Sequence, residues 1–159
     1  MDRARIYAQA RPLQVAAVCY RRDGASVKFL LVRTTTGRWT FPKGRMQDGL
    51  LPAQVAALEA FEEGGVEGQV DPRPIWEYLH RKESLRKYKS HEMIVLAFLL
   101  KVEKSSLPAE SHRTPQWFTP GEAKLRLRQR RSARYFLSIR RVVDSALLEI
   151  TRKQSQCEC

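Results

Sequence analysis

The order of elements legible in the chain predicts an α/β sandwich, and two stretches carry most of that prediction. The first is Pro52–Val66, a short helix closed by a double glycine. The second is Ser132–Ile150, a long helix with an apolar stripe. Around them lie runs of β-branched and aromatic residues of strand length. At 159 residues, 43% of them hydrophobic, the chain is sized for one domain with a real core.

Residues 1–13 are polar and basic and read as a lead-in, residues 14–150 as the domain, and residues 151–159 as a disordered tail. Gln14–Tyr20 is a strand by composition. Asp23-Gly24 marks a hairpin turn into the apolar strand Val27–Val32. In the run WTFPKG, Trp39 and Phe41 alternate towards a core and Pro42 ends the strand. Pro52 suits a first helical turn, Ala53–Glu63 holds no helix breaker, and Gly64-Gly65 supplies the stop. On that helix Glu59, Glu62 and Glu63 share a face, with Ala57, Leu58 and Phe61 pointing the other way.

Gly68–Asp71 with Pro72 and Pro74 reads as a connector, and Ile75–Leu79 as a strand with Trp76 and Tyr78 on one face. The most basic stretch, His80–His91, lies between two strands and reads as a hairpin loop or strand ends. Met93–Val102 is a central strand and Lys104–His112 a loop. After QWF, Pro120 and Glu122 open a short helix, and the long helix carries Tyr135, Phe136, Ile139, Val142, Val143, Ala146 and Leu147 on one stripe.

Composition narrows the chemistry. There are 29 Lys+Arg against 17 Asp+Glu, a net charge of +12, which attracts polyphosphorylated small molecules or nucleic acid. No apolar run approaches a membrane span and no signal-peptide core opens the chain, so a cytoplasmic protein is expected. Cys19, Cys157 and Cys159 make neither a disulfide framework nor a zinc site. His80, His91 and His112 lack ligand spacing and read as structural or solvent-facing, with His91, beside Glu92 at a strand start, kept open. Three carboxylates on one helix face repel, and a hard divalent cation held by oxygen ligands would repay that cost.

The stretch Gly44–Val66 resembles the Nudix box, matching it at Gly44, Glu59, Glu62, Glu63, Gly65 and Val66. It departs at Leu50 and Leu58, where the family has Glu and Arg. The resemblance implies a Nudix fold, a mixed β-sheet sandwiched between helices. It also implies Mg²⁺ (with Mn²⁺ as a substitute) held by Glu59, Glu62 and Glu63 and the Gly44 carbonyl. Glu59 could bind a second ion or act as the base. From about Gln14 to Arg140 the chain is most similar to the branch acting on diphosphoinositol and dinucleoside polyphosphates, and Arg113 falls at a substrate-contacting position of that branch. Gln14 stands where that branch has a basic residue. Phosphate contacts are expected from Lys43, Arg45, Arg81, Lys87, Lys89 and Arg113.

The implied activity is metal-dependent hydrolysis of a phosphoanhydride, X–diphosphate to X–phosphate plus phosphate. The two departures look linked, because the family's Glu and Arg form a supporting pair and both are lost together. Replacing an ion pair by two apolar residues is often neutral or stabilising. The alternative is a catalytically impaired Nudix domain that binds RNA or a phosphorylated ligand; Tyr88 is the one aromatic in the basic loop to support RNA stacking. An enzyme acting on capped or triphosphorylated RNA fits both box and charge.

Overall fold

A computed structural model describes residues 13–82 and 92–158. The elements run β1 (Leu13–Asp23), β2 (Ser26–Arg33), β3 (Trp39–Thr40), β4 (Lys43–Arg45), α1 (Pro52–Gly64), β5 (Val66–Val70), β6 (Trp76–Arg81) and β7 (Glu92–Ser105). A 3₁₀ turn (Ser111–Arg113), β8 (Gln116–Phe118), α2 (Pro120–Arg128) and α3 (Ala133–Cys157) complete the chain.

The axis of the mixed eight-stranded sheet is β1 lying parallel to β7, from Leu13 opposite Ile94 to Tyr20 opposite Lys101. Both strands are apolar almost without alternation, because both faces are covered. Ala16, Val18 and Tyr20 enter a core with Phe41, Leu99, Ile139 and Val143. Val15, Ala17 and Cys19 enter a second core with Leu30, Val55, Ala60 and Phe98. The first lies under α2 and α3, the second under α1.

On its other side β1 has two partners. Its start pairs with β4, Val15 opposite Gly44, and its end pairs with β2, Tyr20 opposite Phe29. The sheet therefore splits beside β4, and α1 crosses at that split. β7 is shared in the same way between β6 and β5.

Each helix end has a local cause. Gln54 Oε1 accepts the Leu51 N–H at 2.8 Å where α1 begins. α2 carries a reciprocal capping box between Thr119 and Glu122, at 3.0 and 3.3 Å. α1 stops at Gly65, whose φ of 68° is left-handed and whose N–H donates to the Phe61 carbonyl at 3.0 Å.

Two sequence expectations are corrected. Residues read as a tail are helical: α3 continues to Cys157, with Lys153 Nζ tied to Asp71 Oδ1 at 2.6 Å and Arg152 paired with Glu149. The stretch read as a connector after α1 is strand β5, where a register shift between Glu67 and Gly68 hides the two-residue period. Phe61 points away from the buried carboxylates, as expected, and is 43% exposed; Val55, Ala56 and Ala60 make the core contact. No helix among the described residues is long and apolar enough to cross a membrane.

A Cβ at Gly65 would lie 2.2 Å from the Ser106 carbonyl oxygen, in a conformation that costs a non-glycine residue about 1–2 kcal/mol. Gly65→Ala is therefore expected to lower unfolding free energy in urea by at least about 1–2 kcal/mol. Gly121→Ala, with open space around its Cβ inside α2, should raise it by about 0.5–1 kcal/mol. Equal effects at the two positions would contradict this account of the α1 exit.

Candidate active site

The packing that brings α1 onto the sheet also turns part of its acidic face inward. Val55, Ala56 and Ala60 are fully buried, and Glu59 and Glu63, one turn apart, follow them to 8% and 5% exposure. The helix can approach β4 this closely because Gly44 has no side chain. A Cβ there would sit 2.1 Å from Glu59 Oε1. Glu62 is only half-buried, so the structure brings Glu59 and Glu63 together against Gly44 and leaves Glu62 towards the rim.

Glu63 is met by one cation and one backbone donor. Arg113 Nη2 lies 3.4 Å from Glu63 Oε1, and its Nε lies 3.1 Å from Glu110 Oε2. The Lys43 backbone N–H donates to Glu63 Oε2 at 3.4 Å. Arg113 is aimed by the 3₁₀ turn, where its N–H reaches the Glu110 carbonyl at 3.1 Å. The Glu110 N–H in turn reaches the Glu62 carbonyl at 3.1 Å. Those two bonds tie the loop after β7 to the end of α1.

Burial is the main cause of every shifted pKa here. It pushes Glu63 up to about 7, against Arg113 and Lys43 and with help from Glu59 and Glu110. Glu59 is raised by burial and by the charges of Glu62 and Glu110. Lys43 is lowered to about 8 by burial, with Arg38, Arg131 and Arg113 adding to the effect and Glu63 opposing it. His80 is driven far down by burial, then by Lys43, Arg38, Arg131 and Lys82, so it is a neutral imidazole at physiological pH.

Those interactions place two further cations close to Lys43 and His80. Arg38 is buried and donates through Nη2 to the Arg81 carbonyl at 3.3 Å; Arg131 donates through Nη1 to the Leu127 carbonyl at 2.8 Å. Both act on Lys43 and His80. Arg38, Arg131 and Glu110 are additions to the sequence reading. Arg38 stood in a loop, Arg131 in a run of arginines, and Glu110 in a featureless connector, so no spacing singled them out.

The remaining expected residues are spread out. Arg45 is exposed on β4, opposite Gln14 of β1, and Arg81 is exposed at the end of β6. Lys87, Lys89 and His91 lie outside the described residues. His80 is buried and His112 exposed, as a structural and a solvent-facing histidine should be.

Of the residues expected to hold a metal, Glu59 and Glu63 are buried, Glu59 lies against Gly44, and Glu62 is half-buried. Among the described residues no group of three or more His, Cys, Asp or Glu side chains is already gathered as for an ion. Arg113 engages Glu63. The donor set still fits a hard divalent cation by its chemistry. It offers oxygen ligands only, two of them buried carboxylates raised by burial and by neighbouring negative charge.

The Glu63 shift has a measurable sign. Its folded pKa of about 7 lies above its ordinary 4.5, so the folded chain holds a proton the unfolded chain has released between those values. Its contribution to stability therefore falls as pH rises through that window. In EDTA, Glu63→Gln removes this dependence. The variant's stability relative to the parent should rise by on the order of 3 kcal/mol between pH 4 and pH 8 in urea melts. A flat difference would mean that Glu63 titrates in the folded chain as it does in the unfolded one.

Comparison with known proteins agrees with this architecture. Residues 10–138 match the family model described as NUDIX domain. No curated protein matches the chain by sequence. Among solved structures, the C. elegans Ap4A hydrolase binary complex superposes with a TM-score of 0.61 at 16% identity, covering 88% of this chain and 98% of that one. The NUDIX domain of Shewanella oneidensis NrtR complexed with ADP ribose gives a TM-score of 0.62 at 16% identity, over 92% and 99%. A NUDIX hydrolase from Nitrosomonas europaea gives 0.59 at 20%, over 87% and 90%. At these identities the superpositions establish the fold, and the family match extends over most of the chain: it belongs to the Nudix hydrolase family.

Proposed function

We propose that this chain is a metal-dependent pyrophosphohydrolase acting on a nucleoside-polyphosphate or diphosphoinositol-polyphosphate type substrate. The observation that carries the reading is the pairing of two buried carboxylates, Glu59 and Glu63, with the cations Lys43, Arg38, Arg131 and Arg113. A phosphoanhydride needs both halves. Its non-bridging oxygens need positive charge, and its hydrolysis needs a site for a cation and an acceptor for a water proton. The structural neighbours include an Ap4A hydrolase and a domain bound to ADP ribose, both diphosphate-bearing nucleotide chemistries.

Glu59 and Glu63, with the Gly44 carbonyl, would hold Mg²⁺, with Mn²⁺ as a substitute, and Glu62 and Glu110 lie near enough to add charge. When bound, the cation screens phosphate charge. The chain's own groups do the rest. Lys43 and Arg113 orient the anhydride, and Arg38 and Arg131 take the phosphates that are not cleaved. A carboxylate of the cluster accepts the proton as the water oxygen bonds to phosphorus and the P–O anhydride bond breaks, the bridging oxygen leaving with its phosphate. Gly44 without a side chain keeps Glu59 at the strand. Arg45 and Arg81, exposed at the rim, and Lys87 and Lys89 would meet more distant phosphates.

A second reading, a Nudix domain that only binds RNA or a phosphorylated ligand, is favoured by one feature: Arg113 and Lys43 already engage Glu63. One experiment separates them. Phosphate release is followed with Mg²⁺ or Mn²⁺ from diphosphoinositol polyphosphates, dinucleoside polyphosphates, nucleoside triphosphates and 5′-triphosphate RNA. Turnover on at least one is expected, with losses of about 10²-fold or more in Glu63→Gln and Gly44→Ala. Arg131→Ala should act mainly on KM, by roughly tenfold, as loss of one charged contact does. Tight binding without turnover on every substrate would establish the binder.

A further inference from the structure

We propose that the outward face of α3 is a self-association surface, on which two copies of this chain pair as antiparallel helices about a two-fold axis. The face that α3 turns to the core is Ile139, Val142, Val143, Ala146 and Ile150. On the opposite side, at helical spacing, lie Leu137, Arg141, Asp144, Leu148 and Thr151. Two of these are large apolar side chains in water: Leu137 is 54% exposed and Leu148 is 74% exposed. They stand three turns apart on one line, so they form a seam rather than scattered exposure.

Beside Leu148 the helix surface has a shallow, open depression of about 580 Å³ between Asp144, Leu147, Leu148, Thr151 and Arg152. The first four are residues i, i+3, i+4 and i+7 of the helix, the set that forms a hole for a knob from a facing helix. Leu147 forms the floor, since it packs against the core beneath. The knob must be apolar, long enough to reach in, and matched by a reciprocal arrangement if the partner is the same chain.

An antiparallel pairing centred between Val142 and Val143 meets all three conditions. It sets Leu137 of the partner subunit over the hollow at Leu148, and the two-fold axis repeats the contact at the other end. The same register sets Arg141 opposite Asp144 of the partner subunit, twice. Asp144 has side-chain surface left for this contact, being 48% exposed while its Oδ1 takes Lys124. A parallel pairing would instead set Arg141 against Arg141. Charge thus selects the antiparallel register that the knob and hole select. The +12 charge of each copy opposes association at long range, and physiological salt screens that repulsion beyond about 8 Å.

The test is sedimentation equilibrium of the full chain in about 150 mM salt, from about 1 to about 300 micromolar protein. The expected result is a rise from the monomer mass to twice that mass. Leu148→Glu should weaken the association by about tenfold or more, as should Arg141→Asp alone. Arg141→Asp combined with Asp144→Arg in one chain should restore it, because the swapped charges meet again at both ends of the two-fold. Far-UV circular dichroism and thermal melts establish that each variant is folded. A monomer mass throughout overturns the proposal. So does a Leu148→Glu variant that associates as tightly as the parent, which would mean that this face is not buried between copies.

Discussion

Two carboxylates are buried one turn apart at the C-terminal end of α1, and the surrounding structure compensates for three costs of that placement. Glu59 and Glu63 lose water, repel each other, and sit near the end of a helix whose dipole disfavours negative charge. The small residues Ala56 and Ala60 let α1 settle on β1, and Gly44 leaves room for the Glu59 carboxylate against β4. Gly65 then turns the chain away at once, so that the loop after β7 can pass over the helix end. Ser106 N–H to the Gly65 carbonyl and Glu110 N–H to the Glu62 carbonyl hold that loop in place. Those backbone bonds deliver Arg113.

The choice of cations follows from the same constraint. Arg113 presents a planar fork, so it can bridge Glu63 and Glu110 at once. Lys43 is a compact ammonium, and burial lowers its pKa to about 8. A buried ion pair is weak evidence for stability, because desolvation consumes most of the attraction. What these opposed charges do in this structure is fix the carboxylate of Glu63 and the guanidinium of Arg113 against each other.

How much of this could be read from the sequence depends on how local each cause is. β1, β2 and β7 were legible because strands covered on both faces are continuous apolar runs. α1 was legible because Pro52 and Gly64-Gly65 bracket it. β5 was not, since the bulge at Gly68 breaks its period and its pairing comes wholly from β7. The last turns of α3 were missed for a related reason. Lys153 is anchored by Asp71, 82 residues earlier, and nothing near 151–157 announces that contact. In the site, Glu59, Glu63 and Gly44 stand in a spaced pattern, whereas Arg38, Arg131 and Glu110 are assembled only by the tertiary fold.

The same contrast explains how Leu50 and Leu58 fit. If the family's Glu and Arg at these positions support each other, removing one would leave a charge without its partner, and removing both leaves none. Leu50 now packs against the core under α1, and Leu58 is half-buried on the helix. In this chain the aim of Glu59 does not depend on a charge pair at those positions. It is fixed from below by Val55, Ala56 and Ala60 on the sheet and from the side by the backbone of Gly44. Apolar packing can hold a helix at a set height without an ion pair. With Leu50 and Leu58 in place, the support of Glu59 is apolar side chains and the Gly44 backbone rather than a second pair of charges.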